Sequence, residues 1–206
     1  YNIFLCGGDT VFSKKLSFTI FTLGFSDKII YRNNAKLNDN IYVTGNLGDS
    51  YAGLNILKNK YNIKKSLKKY FVNTYYQPNV YLNLAKKLFL FANTSIDISD
   101  GLIDDLEKLI NKQNLSYKLN LNNVPISNNL RKLLTLKKLY KKSFISRGDD
   151  YQILFTANSS KSRIVNKIAK SMRIKISKIG KITSGAHKSQ ILDQKGMKIG
   201  LKEKGY

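Results

Sequence analysis

Ile41-Tyr42-Val43-Thr44-Gly45-Asn46-Leu47-Gly48-Asp49-Ser50 decides the fold class of this chain. Its first four residues are a short run of β-branched and aromatic side chains, which reads as a buried strand. Two glycines then open a tight loop, and Asp49 or Ser50 is placed to cap a following helix. Strand, glycine loop and helix in ten residues is the connection that builds α/β layers. The loop has the outline of a phosphate cradle, but it lacks both the Walker lysine and a third Rossmann glycine. By itself it is a tight turn with a capped helix.

The same alternation of elements extends in both directions. Leu16–Leu23 alternates with β-branched and aromatic residues and is expected as a strand. Val80, Leu84, Leu88 and Phe91 repeat at helical spacing, as do Leu102, Leu106 and Ile110. Tyr117–Leu121 reads as a strand ended by a turn at Val124-Pro125-Ile126-Ser127, and Tyr151–Thr156 as another strand. Ser160–Arg173 carries an amphipathic helix through Ile164, Ile168, Ala169 and Met172. Ile174–Thr183 is expected as a strand and Ser189–Leu201 as a hairpin around Asp193-Gln194-Lys195-Gly196. The class is α/β (α+β), a mixed sheet packed with helices. A boundary near Gly24–Asn34 separates residues 1–27 from a main domain over residues 28–206.

Composition narrows the function. The chain has 206 residues, 42% hydrophobic with 13 Tyr and 10 Phe, which supports a packed core rather than disorder. No apolar run reaches membrane-spanning length and no cleavable leader is evident. One cysteine, Cys6, cannot pair internally, so a reducing, cytoplasmic setting is expected. The hydrophobic stretch from Tyr1 begins at once, without a polar lead-in, and reads as a chain cut into an existing element. The charge of +23 invites a nucleic-acid reading. Its lysines, however, fall as pairs on polar faces (Lys64-Lys65, Lys68-Lys69, Lys86-Lys87), arginines are few, and no RNA-binding or zinc-finger signature occurs. Solvated faces are the expectation, with no nucleic-acid partner.

Against that basic background, five of thirteen carboxylates fall within the eleven residues from Asp97 to Glu107. If Ser95–Ser99 is extended, Asp97 and Ser99 share one side while Ile96 and Ile98 enter the core. Asp100 then stands where a helix begins, next to backbone N–H groups able to meet an anion. Carboxylates for Mg²⁺ beside a hydroxyl and a helix start would make a nucleotide site, whereas Ser99 or Asp100 as a plain cap is the structural alternative; spacing alone leaves the two equally open. Asp104, Asp105 and Glu107 face away from the apolar stripe and are expected in solvent. Cys6-Gly7-Gly8-Asp9-Thr10 and Arg147-Gly148-Asp149-Asp150-Tyr151 are two further glycine–acid corners, each a common turn in isolation.

In order and spacing, Gly7-Gly8-Asp9-Thr10, Ile41 to Leu54, Ser95-Ile96-Asp97-Ile98-Ser99-Asp100-Gly101-Leu102 and Gly148-Asp149-Asp150-Tyr151 resemble thiamine-monophosphate kinases, of the aminoimidazole ribonucleotide synthetase-like superfamily. The match covers only the later part of that family's chain. The resemblance implies a C-terminal α/β domain preceded by the last strands of an N-terminal ATP and dimerisation domain. It also implies ATP-dependent phosphorylation of thiamine monophosphate to thiamine diphosphate by in-line transfer with Mg²⁺. Gly8, Asp9, Arg32 and Ser99 would contact ATP, and Asp9, Asp97 and Asp100 would ligate Mg²⁺. Asp149 would meet the substrate, and Tyr206 of the closing Gly205-Tyr206 would present its ring to the thiamine cation. The Asp9 turn would face Asp97 and Asp100 across a cleft, and a homodimer is expected of the longer protein. Phosphoryl transfer needs positioning and charge neutralisation rather than a nucleophile, so the scarcity of His and Cys is no objection.

Departures from the family pattern are Val11-Phe12-Ser13-Lys14 after the first corner, Asn79 after Gln77-Pro78, and Gln152 in place of a common Glu. This chain by itself is expected to be inactive, with part of its metal and nucleotide site elsewhere. The alternatives are another ATP-using member of the superfamily and, from a different class, a basic RNA-binding module.

Overall fold

The computed structural model describes residues 3–193 and 195–200. Its centre is a six-stranded sheet in the order β2-β4-β1-β5-β3-β6. The strands are β1 (Asn40–Thr44), β2 (Ala92–Asp97), β3 (Leu115–Asn120), β4 (Ile153–Ala157), β5 (Ile176–Ser184) and β6 (Gln190–Leu192). All pairings are antiparallel except β3 with β6. The helices are α1 (Asp49–Leu57), α2 (Lys65–Tyr76), α3 (Leu82–Ala85), α4 (Leu102–Ile110), α5 (Asn128–Lys137), α6 (Lys141–Ile145) and α7 (Ser162–Met172).

Period-two alternation sorts the strand side chains onto two cores. Ile41, Val43, Leu154, Ile179 and Ile182 enter a cluster with Ile56 of α1, Leu102 and Leu106 of α4, and Leu130 and Leu133 of α5. Tyr42 and Phe155 enter the other, with Leu84 of α3, Leu88 and Phe91, and Val165 and Ile168 of α7. The Tyr42 and Phe155 rings stack with centroids 5.2 Å apart. A sheet covered on both faces explains why every residue of β1 is buried. It also explains why Ile41–Thr44 reads as a continuous apolar run rather than a half-buried alternation.

Several sequence expectations are corrected. Leu16–Leu23 forms no strand: the residues lie outside the sheet and their large side chains are exposed, Phe18 at 82% and Phe21 at 84%. Strand pattern is a statement about side chains, and no other segment of the described chain offers this one a ladder partner. The single helix expected over Val80–Phe91 is α3 followed by a 3-10 turn at Leu88–Leu90. Leu84, Leu88 and Phe91 still reach the core, but Lys87, Leu90 and Phe91 close three-residue bonds to Leu84, Lys87 and Leu88. Ser127 does not simply end a turn. Its hydroxyl accepts the Leu130 N–H at 2.9 Å and so caps α5, a helix unread in the sequence, as was α2.

Candidate functional site

Two strand-to-helix corners lie side by side at one end of the sheet. In the first, β1 runs through Gly45 and Gly48 into α1. Neither Asp49 nor Ser50 holds the cap position; Gly48 does. The helix end is instead closed from another loop: the Asp150 carboxylate accepts the Gly48 N–H at 2.7 Å and the Ser50 N–H at 3.3 Å. Burial pushes the Asp150 carboxyl up to about 8, opposed by those two backbone donors. Asp49 is also buried, accepting from Ser127 at 2.7 Å and Tyr70 at 2.9 Å, and burial raises its pKa as well. Both acids of this corner hold the fold together.

The second corner runs from β2 into α4. Beyond the strand, Ile98 donates to Gln152 O (2.9 Å), Tyr151 to Ile98 O (2.8 Å) and Asp149 to Ser99 O (2.9 Å), so the loops 98–101 and 148–152 are zipped backbone to backbone. Gly148 is required for that approach, because a Cβ there would overlap the Ser99 carbonyl. Gly101 adopts φ +133°, a conformation reserved for glycine. On the facing loop Asp149 (φ +65°) and Tyr151 (φ +49°) both sit in left-handed geometry, a concentration of strain that marks functional loops.

The α4 start is not an open anion site. Asp105 is buried, and its Oδ2 accepts the N–H of both Asp100 (2.9 Å) and Gly101 (3.0 Å). Burial raises the Asp105 pKa, with those donors opposing it. The expectation that Asp104, Asp105 and Glu107 are all solvated is therefore corrected. Asp105 folds back on its own loop, Asp104 pairs with Lys108 at 2.7 Å, and Glu107 accepts the Tyr117 hydroxyl at 3.3 Å. The five-residue offset from Asp100 to Asp105, across a glycine, is the sequence signal that such a fold-back is available.

With those N–H groups taken, the side chains of Asp97, Ser99 and Asp100 border a polar cavity of about 670 Å³, lined also by Arg32, Ser95 and Lys108. Four of the sequence-selected residues thus meet in one place: Arg32, Asp97, Ser99 and Asp100. The Lys108 ammonium lodges among Asp100, Asp104 and Asp105, whose carboxylate oxygens lie within 4.8 Å of one another. Those ion pairs push the Lys108 pKa up. An all-oxygen donor set already gathered around a positive charge fits a hard divalent cation such as Mg²⁺. Lys108 was not singled out in the sequence, although its i,i+4 spacing from Asp104 predicts the pairing.

Gly8 and Asp9 are not brought to this cavity. Both are exposed, Asp9 accepts the N–H of Thr10 at 2.8 Å, and neither lines the cavity around Asp97 and Asp100. Asp149 reaches the site through its backbone bond to Ser99. Tyr206 lies outside the described residues. Gln152, the departure from the family's common Glu, is buried beside Asp150. Its Oε1 accepts from Thr44 at 2.9 Å and its Nε2 donates to Asp150 O at 3.3 Å. A neutral amide here spares the corner a third buried carboxyl group.

A mixed sheet sandwiched by helices, with glycine–acid corners gathered at one end, is the fold of the aminoimidazole ribonucleotide synthetase-like superfamily. Thiamine-monophosphate kinases align along the whole chain. That of Buchnera aphidicola subsp. Schizaphis graminum is 36% identical over 209 aligned residues, and that of Nitrosopumilus maritimus 30% over 206. The thiamine-monophosphate kinase of Stenotrophomonas maltophilia superposes with a TM-score of 0.71 at 25% identity, over 82% of this chain and 54% of that one. A structure described as AaThiL complexed with AMPPCP and TMP superposes at 0.70 and 24% identity, over 86% of this chain and 54% of that one. No protein-family profile matches the chain. Along its whole length the chain is similar to thiamine-monophosphate kinases, and it spans about 64% of the length of these curated relatives.

Proposed function

We propose that this chain supplies the C-terminal half-site of an enzyme that phosphorylates thiamine monophosphate to thiamine diphosphate, with ATP as phosphoryl donor and Mg²⁺ as counter-ion. The observation that carries the reading is the convergence of Arg32, Asp97, Ser99 and Asp100 on one cavity at the zipped corners. Arg32 offers a guanidinium to phosphate oxygens and Ser99 a hydroxyl. Asp97 and Asp100 would hold Mg²⁺, which when bound neutralises charge on the transferring phosphoryl group. Lys108 keeps Asp100 and Asp104 charge-balanced, and a cation on Asp97 and Asp100 would compete with it for Asp100. Asp149, fixed in left-handed geometry against Ser99, stands where it can meet the cationic acceptor.

Gly8 and Asp9 join this site only if residues 3–29 fold over it, in keeping with a separate unit over residues 1–27 and a main domain over 28–206. The same arrangement accounts for a homodimer formed through the earlier unit, and a reducing, cytoplasmic setting suits an exposed Cys6. Among the described residues no helix is long and apolar enough to cross a membrane. The test is thiamine diphosphate formation from Mg²⁺-ATP and thiamine monophosphate, by this chain and by a version extended to the length of its relatives. Turnover is expected of the extended protein alone. Absence of turnover in both, with folding intact, would sink the kinase reading. Binding of RNA with steep salt dependence and no response to Mg²⁺-ATP would replace it.

A further inference from the structure

Lys108 stands one helical turn beyond the acids it pairs with. It leaves α4 on the same face as Asp104 and Asp105, four and three residues earlier, and its ammonium also meets Asp100 in the loop before the helix. Of these three carboxylates, Asp105 is buried and held by two backbone donors. The side chains of Asp100 and Asp104 are 47% and 36% exposed, and that of Lys108 is 36% exposed. An ion pair this open to water is weakly held, and a lysine carries its charge on a flexible four-carbon stem. The contact with Asp100 is therefore one that Lys108 can leave without disturbing the helix.

The same ammonium borders the polar cavity. In its lining two basic side chains, Arg32 and Lys108, stand among three carboxylates, Asp97, Asp100 and Asp105, so a further cation is needed to balance the acids. A divalent ion on Asp97 and Asp100 would share Asp100 with the ammonium, and two cations on one carboxylate repel each other. Lys108 has an alternative close at hand. The cavity that it lines is where a nucleotide would bring phosphate oxygens, and each of these is a strong acceptor for an ammonium.

We propose that Lys108 is a cation with two positions. It is the internal counter-ion of Asp100 and Asp104 before metal binds, leaves Asp100 once Mg²⁺ is in place, and then donates to a phosphate oxygen of the nucleotide beside Arg32. This rests on the reading of the cavity as an Mg²⁺-nucleotide site. Lys108 therefore acts in opposite directions on the two ligands: it lowers the affinity of the acids for metal alone and raises the affinity of the loaded site for nucleotide. A lysine that only tied α4 to its preceding loop would not divide the two in this way.

The test titrates this chain with Mn²⁺ alone, read by the paramagnetic resonance of the free ion, and with a non-hydrolysable ATP analogue in saturating Mg²⁺, read by calorimetry. Wild type is compared with Lys108→Met, which keeps the stem and removes the charge, and with Lys108→Arg, which keeps the charge; each is first checked for an unchanged melting transition. Lys108→Met is expected to bind Mn²⁺ about fivefold more tightly, since three exposed ion pairs no longer oppose the metal. It should bind the analogue about tenfold more weakly, the loss of one charged hydrogen bond. Lys108→Arg should lie closer to wild type than Lys108→Met in both titrations. If Lys108→Met does not fold, Lys108→Gln carries the same comparison. A folded neutral variant that binds Mn²⁺ no more tightly, or the analogue no more weakly, than wild type overturns the proposal and leaves the kinase reading standing. A wild-type chain that binds neither Mn²⁺ nor the analogue overturns both.

Discussion

The corners at Gly45–Ser50 and Asp97–Leu102 have the same plan, a strand turning through glycine into a helix with acids at the turn, yet they spend those acids in opposite ways. At the first, Asp49 and Asp150 are buried and saturated by Ser127, Tyr70 and two backbone donors. At the second, one acid, Asp105, does all the backbone bonding, which leaves Asp97, Ser99 and Asp100 bordering the cavity. A corner that recruits its closing carboxylate from elsewhere becomes structure. A corner that closes itself from within its own helix keeps its loop acids for chemistry.

The sharpest way to break this contrast is at the seam where the two corners meet. Gly148→Ala drives a methyl into the Ser99 carbonyl and should cost more than about 3 kcal/mol of stability, read by urea denaturation. A loss under ~1 kcal/mol would mean that the loops are not zipped as described. Asp150→Ala removes the acceptor for two buried N–H groups and should cost about 3 kcal/mol.

Asp150 also makes a pH statement. Its folded pKa, near 8, lies above the ordinary carboxylate value of about 4, so the folded chain holds a proton that the unfolded chain releases. Its contribution is full below about pH 4 and is lost as pH rises toward 8, by at most about 1.4 kcal/mol per unit. Denaturation midpoints at pH 5 and pH 8 in wild type and Asp150→Asn check this: the wild-type decline should flatten in the variant.

The second corner should respond less in stability and more in binding. Asp105→Ala is expected to cost about 2 kcal/mol, because of its two backbone donors only that of Gly101 is fully buried, whereas both donors to Asp150 are. Asp97→Asn should shift stability by under ~0.5 kcal/mol. The same change should weaken Mg²⁺-dependent nucleotide binding by at least tenfold, as measured by titration calorimetry with and without the metal. A variant that loses stability and keeps binding would place Asp97 with the structural acids.

What could be read from the sequence divides along the same line. Ile41–Thr44, Leu102–Ile110 and Ser162–Met172 were legible because their apolar periods coincide with a core that the chain itself provides. Leu16–Leu23 has an equally good strand pattern, and the ladder partner it needs is a property of tertiary context that periodicity does not carry. Within the site, Asp97, Ser99 and Asp100 were found by their alternation and by family resemblance. Asp105 and Lys108 were passed over because a helix wheel reports which way a side chain leaves the axis. It does not report that an aspartate in the first turn can fold back onto the preceding loop, or that a lysine can reach back to three acids. Asp150 escaped for a related reason: its partners Gly48 and Ser50 lie about a hundred positions away in the chain, where no local signal connects them.

The exposed segment before the sheet has a colloidal consequence. Phe4, Phe12, Phe18, Phe21 and Phe25 stand in solvent along one stretch, attached to a body carrying most of 36 basic side chains. Such a molecule is a polycation with a greasy tail. At low ionic strength mutual repulsion keeps copies apart, but at 0.1 M salt repulsion fades beyond about 10 Å while the attraction of apolar surface does not. Added salt should therefore drive this chain to self-associate, visible as a rise in light scattering, and removal of residues 1–29 should abolish the rise.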